Sequence, residues 1–453
     1  MAMTRRINET VNNIKKFTEK NENNNFIKLT KNTDNIDKES KLWLEGYLIP
    51  KLKVVLNHEN SVTKYEVKSS EPLLMSSIIF LELKLIDKRE EKNFRLILKR
   101  PHRIELMRQV FQADKFFHNE ILFYEKYQKN SKDYPKCFYT NEDPPINSAI
   151  VIENINENGY YQCPEKVNLK MKYIVAAMQE IGKFHAKAYV LKHKLPREFF
   201  QIVNNIQETR YEYRERNFFP IMMNNLMPRI IKCLRDKNYD TVFCDGAEKF
   251  FENAFDNCMR VALNSKMSLA TICHGDFTVN NVFFKESEFG VKAMLFDFAM
   301  ISYGSPAIDL STFIYLSMSP DDIRTKFTQV FDAYYNSLMD YFKEINFSEM
   351  YSKEFSKENF LNNYKRYAIF GFMIASFYLP IMHGVELTNF DFSTDMENAA
   401  EHFKDIGGDK FRDLLMEIFL DMRNSGCLDH IIDYKKLNEE SKVLSFKNYN
   451  GRK

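Results

Sequence analysis

The chain has 453 residues, of which 44% are apolar and 28% charged, with a net charge of +2. That is apolar material for one large domain or two lobes sharing a cleft, and the near-balance of charge excludes the basic surplus of a nucleic-acid binder. Glycine and proline are scarce at 13 each, which favours helix, and the seven cysteines (137, 163, 233, 244, 258, 273, 427) form no C-x-x-C pair. With neither a disulfide framework nor zinc spacing, a reducing compartment, the cytoplasm, is expected.

The opening MAMTRRINETVNNIKKF is charged and has no apolar run, so it does not read as a signal peptide. Residues 1–40 are rich in Asn, Lys and Glu and read as a mobile arm with room for one short helix. Ordered structure is expected to begin near Trp43. SIIFLELKLI (77–86) and FRLILKR (94–100) are strand-like runs joined by a charged loop, as in an antiparallel hairpin. Residues 107–128 have helical spacing, with Val110, Phe117, Ile121 and Tyr124 on one face. SAIVIENI (148–155) is another strand. From 168 onward helices dominate, interrupted by a strand–loop–strand block at 269–297. The uncharged run Tyr367–Met382 is too short to span a bilayer comfortably and reads as a buried helix. The order predicts an α+β chain: a small antiparallel-sheet lobe over 41–155, a large mostly helical lobe over 156–435, and a tail over 436–453.

The chemistry lies in TICHGDFTVNNVFF (271–284). His274-Gly275-Asp276 is followed five residues after the aspartate by Asn281, and sixteen residues later Asp297 ends the apolar run MLFDF. Gly304-Ser305-Pro306-x-x-Asp309-Leu310 follows. Phosphoryl transfer needs these parts: a carboxylate for the proton of the attacking hydroxyl, which Asp276 supplies, and hard oxygen ligands for Mg2+, which Asn281 and Asp297 supply. His274 is read as backing the turn rather than as a general base, and Asp309 as bracing the loop. Cys273 is expected to point away and be inert. Upstream, Lys99 ends a strand from which it can reach the phosphates of ATP, with Glu120 on the next helix as its partner. Arg100 and Glu125 are the competing pair. Glu153-Asn154-Ile155 lies where a hinge would offer backbone groups, at Glu153 and Ile155, to adenine.

With these residues in place, the chain resembles the ecdysteroid kinase-like (CHK kinase-like) family of invertebrates, within the choline kinase and aminoglycoside phosphotransferase superfamily. The matching segments include RLILKRPH, FHNEILFYEKY, YPKCFYT, AIVIENINENGY, IGKFHAKAYVL and CHGDFTVNNVFF. The strongest is MLFDFAMISYGSPAIDLSTFIYLS at 294–317, and the likeness runs from about 45 to 425. It implies a bilobal protein-kinase-like fold and ATP- and Mg2+-dependent phosphorylation of a small-molecule hydroxyl. In that frame Asp276 matches the catalytic aspartate, Asn281 and Asp297 the metal ligands, and Lys99 and Glu120 the phosphate-binding pair. The phosphate-covering segment EPLLMSSII (71–79) departs from kinase habit in having no glycine. Leu73, Leu74 and Met75 are bulky there, leaving Ser76 and Ser77 as hydrogen-bond donors. The hinge carries Asn154 where relatives often have Asp.

Two other readings stay open on the sequence. One is a kinase-fold binding protein with little catalysis. The other is a choline or ethanolamine kinase whose cage would draw on the rings of 210–219 and on Glu212, Glu215, Asp391 or Asp395. YAIFGFMIASFYLP (367–380) fits a pocket for a hydrophobic acceptor, and equally plain core. The partner is expected to be a small hydroxylated molecule, with no nucleic acid and no membrane span. Oligomeric state is not legible.

Overall fold

The computed structural model describes residues 36, 38–59, 61–72, 76–87, 90–128, 131–214, 217–264, 266–385 and 404–432. Most of the expected N-terminal arm, the whole C-terminal tail, Leu73–Met75, Glu215, Asp391 and Asp395 lie outside the described residues.

The strand-like runs build a five-stranded antiparallel sheet: β1 (Val62–Pro72), β2 (Ser76–Ile86), β3 (Glu91–Pro101), β4 (Cys137–Asn141) and β5 (Ala149–Glu153), in the order β1-β2-β3-β5-β4. β2 and β3 pair without a break, Ile78 facing Lys99 and Ile79 facing Leu98. Alternation then sorts the side chains. Leu81, Leu83, Leu96, Leu98 and Val151 bury against Leu44, Leu48, Ile49 and Leu52. These four come from α1, a helix running through Lys38–Trp43, Leu44–Leu48 and Ile49–Val55. Its middle stretch is a π turn just ahead of Pro50, where proline withholds the donor that a regular helix would use. Ile97, Ile150 and Ile152 face the other way, into the main core with Phe117 and Ile121 of α2 (Ala113–Leu122).

The helix expected as one piece over 107–128 is broken. A first helix, Glu105–Phe111, ends where Gln112 takes a left-handed φ of 51°, and α2 restarts behind it and runs on as a π turn, Phe123–Tyr127. The break lets α2 dock on the sheet while the first turns reach the second lobe.

The second lobe is helical. Its main members are α3 (Met171–Lys194), α4 (Ala307–Ser317), α5 (Pro320–Glu344), α6 (Ile369–Met382) and α7 (Gly408–Asn424). Residues 369–377 of α6 are all buried, as the uncharged run predicts. Gly371 is what lets α6 approach α4: a Cβ there would lie 2.2 Å from the Ser311 carbonyl carbon. Among the described residues no helix is long and apolar enough to cross a membrane. Two small sheets interrupt the helices. β7 (Thr271–Cys273) pairs with β10 (Ser302–Gly304), and β6 (Tyr161–Gln162), β8 (Val282–Ser287) and β9 (Gly290–Leu295) form the other. Between β7 and β8, and just after β9, hang the two loops that carry the motif.

Candidate active site

The loop after β7 is held from behind by one carboxylate. Asp309, fully buried at the start of α4, accepts from the His274 N–H (2.7 Å) and the Gly275 N–H (2.9 Å). His185 of α3 bonds the same carboxylate through Nε2 at 3.0 Å and meets the Tyr334 hydroxyl through Nδ1. His185, Cys273 and Asp309 are near enough to hold a metal, but the carboxylate is already spent on three donors. Cys273 is buried, and burial pushes its thiol far above the usual range. Gly275 has φ 79°, and a Cβ there would lie 1.8 Å from the Met300 carbonyl oxygen, so no other residue fits without moving the loop after β9.

His274 is wholly buried. Its Nε2 lies 3.0 Å from the Phe296 oxygen and its Nδ1 takes the Asp276 N–H at 3.4 Å. The network thus assigns the proton to Nε2, and both nitrogens are engaged in holding backbone. Asp276 projects from this turn. Asn281 donates to both the Asp276 carbonyl and Oδ2, each at 2.9 Å. That commits the amide nitrogen and leaves the amide oxygen open. The Asn281 carbonyl accepts from Phe296 N–H at 3.0 Å. Phe296 is therefore gripped by both His274 and Asn281, and it delivers Asp297.

Asp297 takes φ 63°, uncommon for a residue with a Cβ. Its Oδ1 lies 2.8 Å from the Lys99 ammonium, which lies 2.6 Å from Glu120 Oε2. Burial works against the Lys99 charge, but Asp297 and Glu120 outweigh it and hold the ammonium above the lysine range. Burial also resists ionisation of Asp297, and Lys99 more than offsets it, so that carboxyl stays below its usual range. Glu120 goes the other way. Burial, reinforced by the Asp297 charge, exceeds the help from Lys99 and pushes it up to about 7. The competing pair separates: Arg100 turns to the opposite face, over the Trp43 ring at 4.4 Å, and Glu125 accepts from Thr140 at 2.5 Å. Next to Asp297, Phe298 stacks on Phe123 with centroids 3.6 Å apart and contacts His274, which joins the first lobe to the motif loops.

Not every expected residue joins this group. Ser76 and Ser77 begin β2 rather than a loop, opposite Pro101 and Arg100. Ser76 shares the Lys99 face and is buried, whereas Ser77 falls on the α1 side. At the end of β5 the Glu153 N–H is donated to Lys136 and the Asn154 N–H to Arg95, and the Asn154 side chain caps the short helix Ile155–Asn158. Glu153 accepts from Asn158 through its side chain, and Ile155 is buried.

Three residues in the site were not singled out in the sequence, although the segments that hold them were. Besides His185 there is Arg210, buried, with Nη1 3.8 Å from Asp276 Oδ1. The third is Asn119, fully buried beside Glu120. It donates to Gln207 O and Ala299 O and accepts from the Gln207 N–H, so α2 is tied to the 204–217 segment and to the Asp297 loop. Each meets its partner across 66 residues or more, so only the fold reveals the contact. Of the residues weighed for a ring cage, Tyr211 packs on Phe219 and Phe370, Tyr213 is exposed, and Glu212 pairs with Lys115.

An antiparallel sheet lobe, a helical lobe and a Lys–Glu–Asp cluster facing an Asp–Asn pair define a protein-kinase-like fold. The family model of the ecdysteroid kinase-like family matches residues 74–347, and the chain belongs to that family. Among solved structures, the chain is similar to a microcompartment-associated aminopropanol kinase, at 10% identity and a TM-score of 0.35 over 84% of this chain and 99% of that one. No curated protein matches it.

Proposed function

We propose that the protein is an ATP- and Mg2+-dependent kinase that phosphorylates a hydroxyl of a small hydrophobic molecule, an ecdysteroid or a similarly apolar hydroxylated metabolite. The supporting observation is the connection between two clusters: Asp276–Asn281 and Lys99–Glu120–Asp297 share the Phe296 backbone as a common anchor. Phosphoryl transfer asks a protein mainly for positioning and charge stabilisation. Lys99, kept charged by two carboxylates, would hold the phosphates. The Asn281 amide oxygen and the Asp297 oxygen not facing Lys99 are hard donors that would hold Mg2+, which would offset the charge of the phosphates. Asp276, with Oδ2 fixed by Asn281, would present Oδ1 to the acceptor hydroxyl and orient its proton. Adenine would pair with the Glu153 carbonyl and the Ile155 N–H, since the Glu153 and Asn154 N–H groups are committed to the sheet. The free cysteines suit a cytoplasmic setting.

The test is Asp276→Asn, which keeps the shape and the Asn281 contact. Turnover of a hydroxylated-metabolite library, read by mass spectrometry, should fall by about a thousandfold or more. The stabilisation that Mg-ATP gives in thermal melts should persist. Undiminished turnover would remove Asp276 from its role.

A further inference from the structure

We infer that Arg210 is the recognition group for the acceptor, and that it selects a molecule whose reacting hydroxyl stands beside a carboxylate or carbonyl oxygen while rejecting one with a nearby cation. The inference rests on Asp276 facing the acceptor, as proposed above. Arg210 is only 7% exposed. A buried guanidinium is costly unless its five donors and its charge are met. Among the described residues they are poorly met. The nearest carboxylate oxygen, Asp276 Oδ1, lies at 3.8 Å, beyond a hydrogen bond. The Phe219 ring lies at 5.5 Å and offers only its face. The Tyr211 hydroxyl beside it is the one neutral oxygen near enough to accept from the guanidinium and makes no other hydrogen bond, so most of the five donors stay open among the described residues. Tyr378, a partly exposed residue of the mostly buried α6, lies close enough to feel both Arg210 and Asp276.

The backbone that presents Arg210 is, by contrast, fully secured. Glu208 accepts from the N–H groups of Thr209, Arg210 and Tyr211 at 2.9, 2.8 and 2.9 Å. Asn217 donates to the Arg210 carbonyl at 2.9 Å, and Asn119 and Lys115 of α2 pin the segment at Gln207 and Glu208. A rigid support carrying a cation with open donors is how a protein pre-organises an oxygen-binding group. A hydroxyl bound to Asp276 places its neighbouring carbon next to Arg210. An oxygen there would be held, and a carboxylate there would be spared repulsion by Asp276. A quaternary or primary ammonium there would meet a like charge in a dry site, which argues against choline and ethanolamine.

The experiment follows binding rather than turnover, on the full chain at constant ionic strength. Glycerate and choline are the probes, read by thermal melts and calorimetry. Glycerate should stabilise the protein at millimolar concentration and choline should not. Arg210→Met should weaken glycerate binding about tenfold or more, and Arg210→Lys less, with unliganded melting points close to that of the parent. Equal stabilisation by choline, absence of glycerate binding, or glycerate binding unchanged in both variants would overturn the inference. Because no phosphate is transferred, glycerate binding together with undiminished turnover in Asp276→Asn would fail the catalytic role alone.

Discussion

Glu120 can be made neutral without changing its shape, and the consequence for stability runs against intuition. Removing one partner of a buried ion pair usually costs about 3–5 kcal/mol, because the other charge is stranded. Here Lys99 is not stranded, since Asp297 stands 2.8 Å away on its other side. What remains is the cost of ionising Glu120 itself, whose pKa burial and the Asp297 charge raise from the ordinary 4.5 to about 7. Between those values the native state holds the proton and the unfolded chain has released it. Stability of the parent should therefore fall as pH rises through that window and level off above 7. At 1.36 kcal/mol per pH unit the loss is about 3 kcal/mol. Glu120→Gln carries no such penalty. Urea denaturation of both proteins from pH 4.5 to 8.5 should show them equal at the acid end and the glutamine variant more stable by up to about 3 kcal/mol at pH 8. Turnover at pH 8 should nonetheless drop, because Lys99 loses one of the two anions that hold it. A glutamine variant less stable than the parent at pH 8 would refute the reasoning and make the charged pair a net source of stability.

Two further outcomes follow from the loop supports. Gly275→Ala forces a side chain into a left-handed backbone and against the Met300 carbonyl, so urea melts should show a loss on the order of 3 kcal/mol or more, or no soluble protein. Asp309→Asn replaces one acceptor oxygen with a donor and leaves one of the His274, Gly275 or His185 donors facing it without a partner. Stability should fall by about 2–3 kcal/mol, and amide exchange at His274 and Gly275 should accelerate ahead of the rest of the chain.

What was legible in the sequence and what was not divides along physical lines. β2, β3 and β5 were plain because their apolar runs are local and bounded by charge. α6 was plain because its run is uncharged. α1 was hidden: Leu44, Leu48 and Leu52 have helical spacing, but Pro50 and the neighbouring β-branched residues mask it, and the fold resolves the conflict with a π turn. The break at Gln112 was equally invisible, since the apolar spacing continues across it and only docking on the second lobe demands it. In the site, Asp276, Asn281 and Asp297 lie close in the chain and declare themselves. Arg210, His185 and Asn119 reach the same place from far away, and each is an ordinary residue in its own helix or loop.

Asn119 carries a consequence for ligand binding. It sits one residue from Glu120 and closes a reciprocal amide bridge to Gln207, three residues from Arg210. α2 and the segment that presents Arg210 are thus bonded to one another, and a displacement of that helix would carry both. Any factor by which nucleotide alters acceptor affinity must then be returned in full by the acceptor to the nucleotide. Cutting the bridge, as Asn119→Ala would, should bring that factor toward one, with the two ligands then binding as strangers.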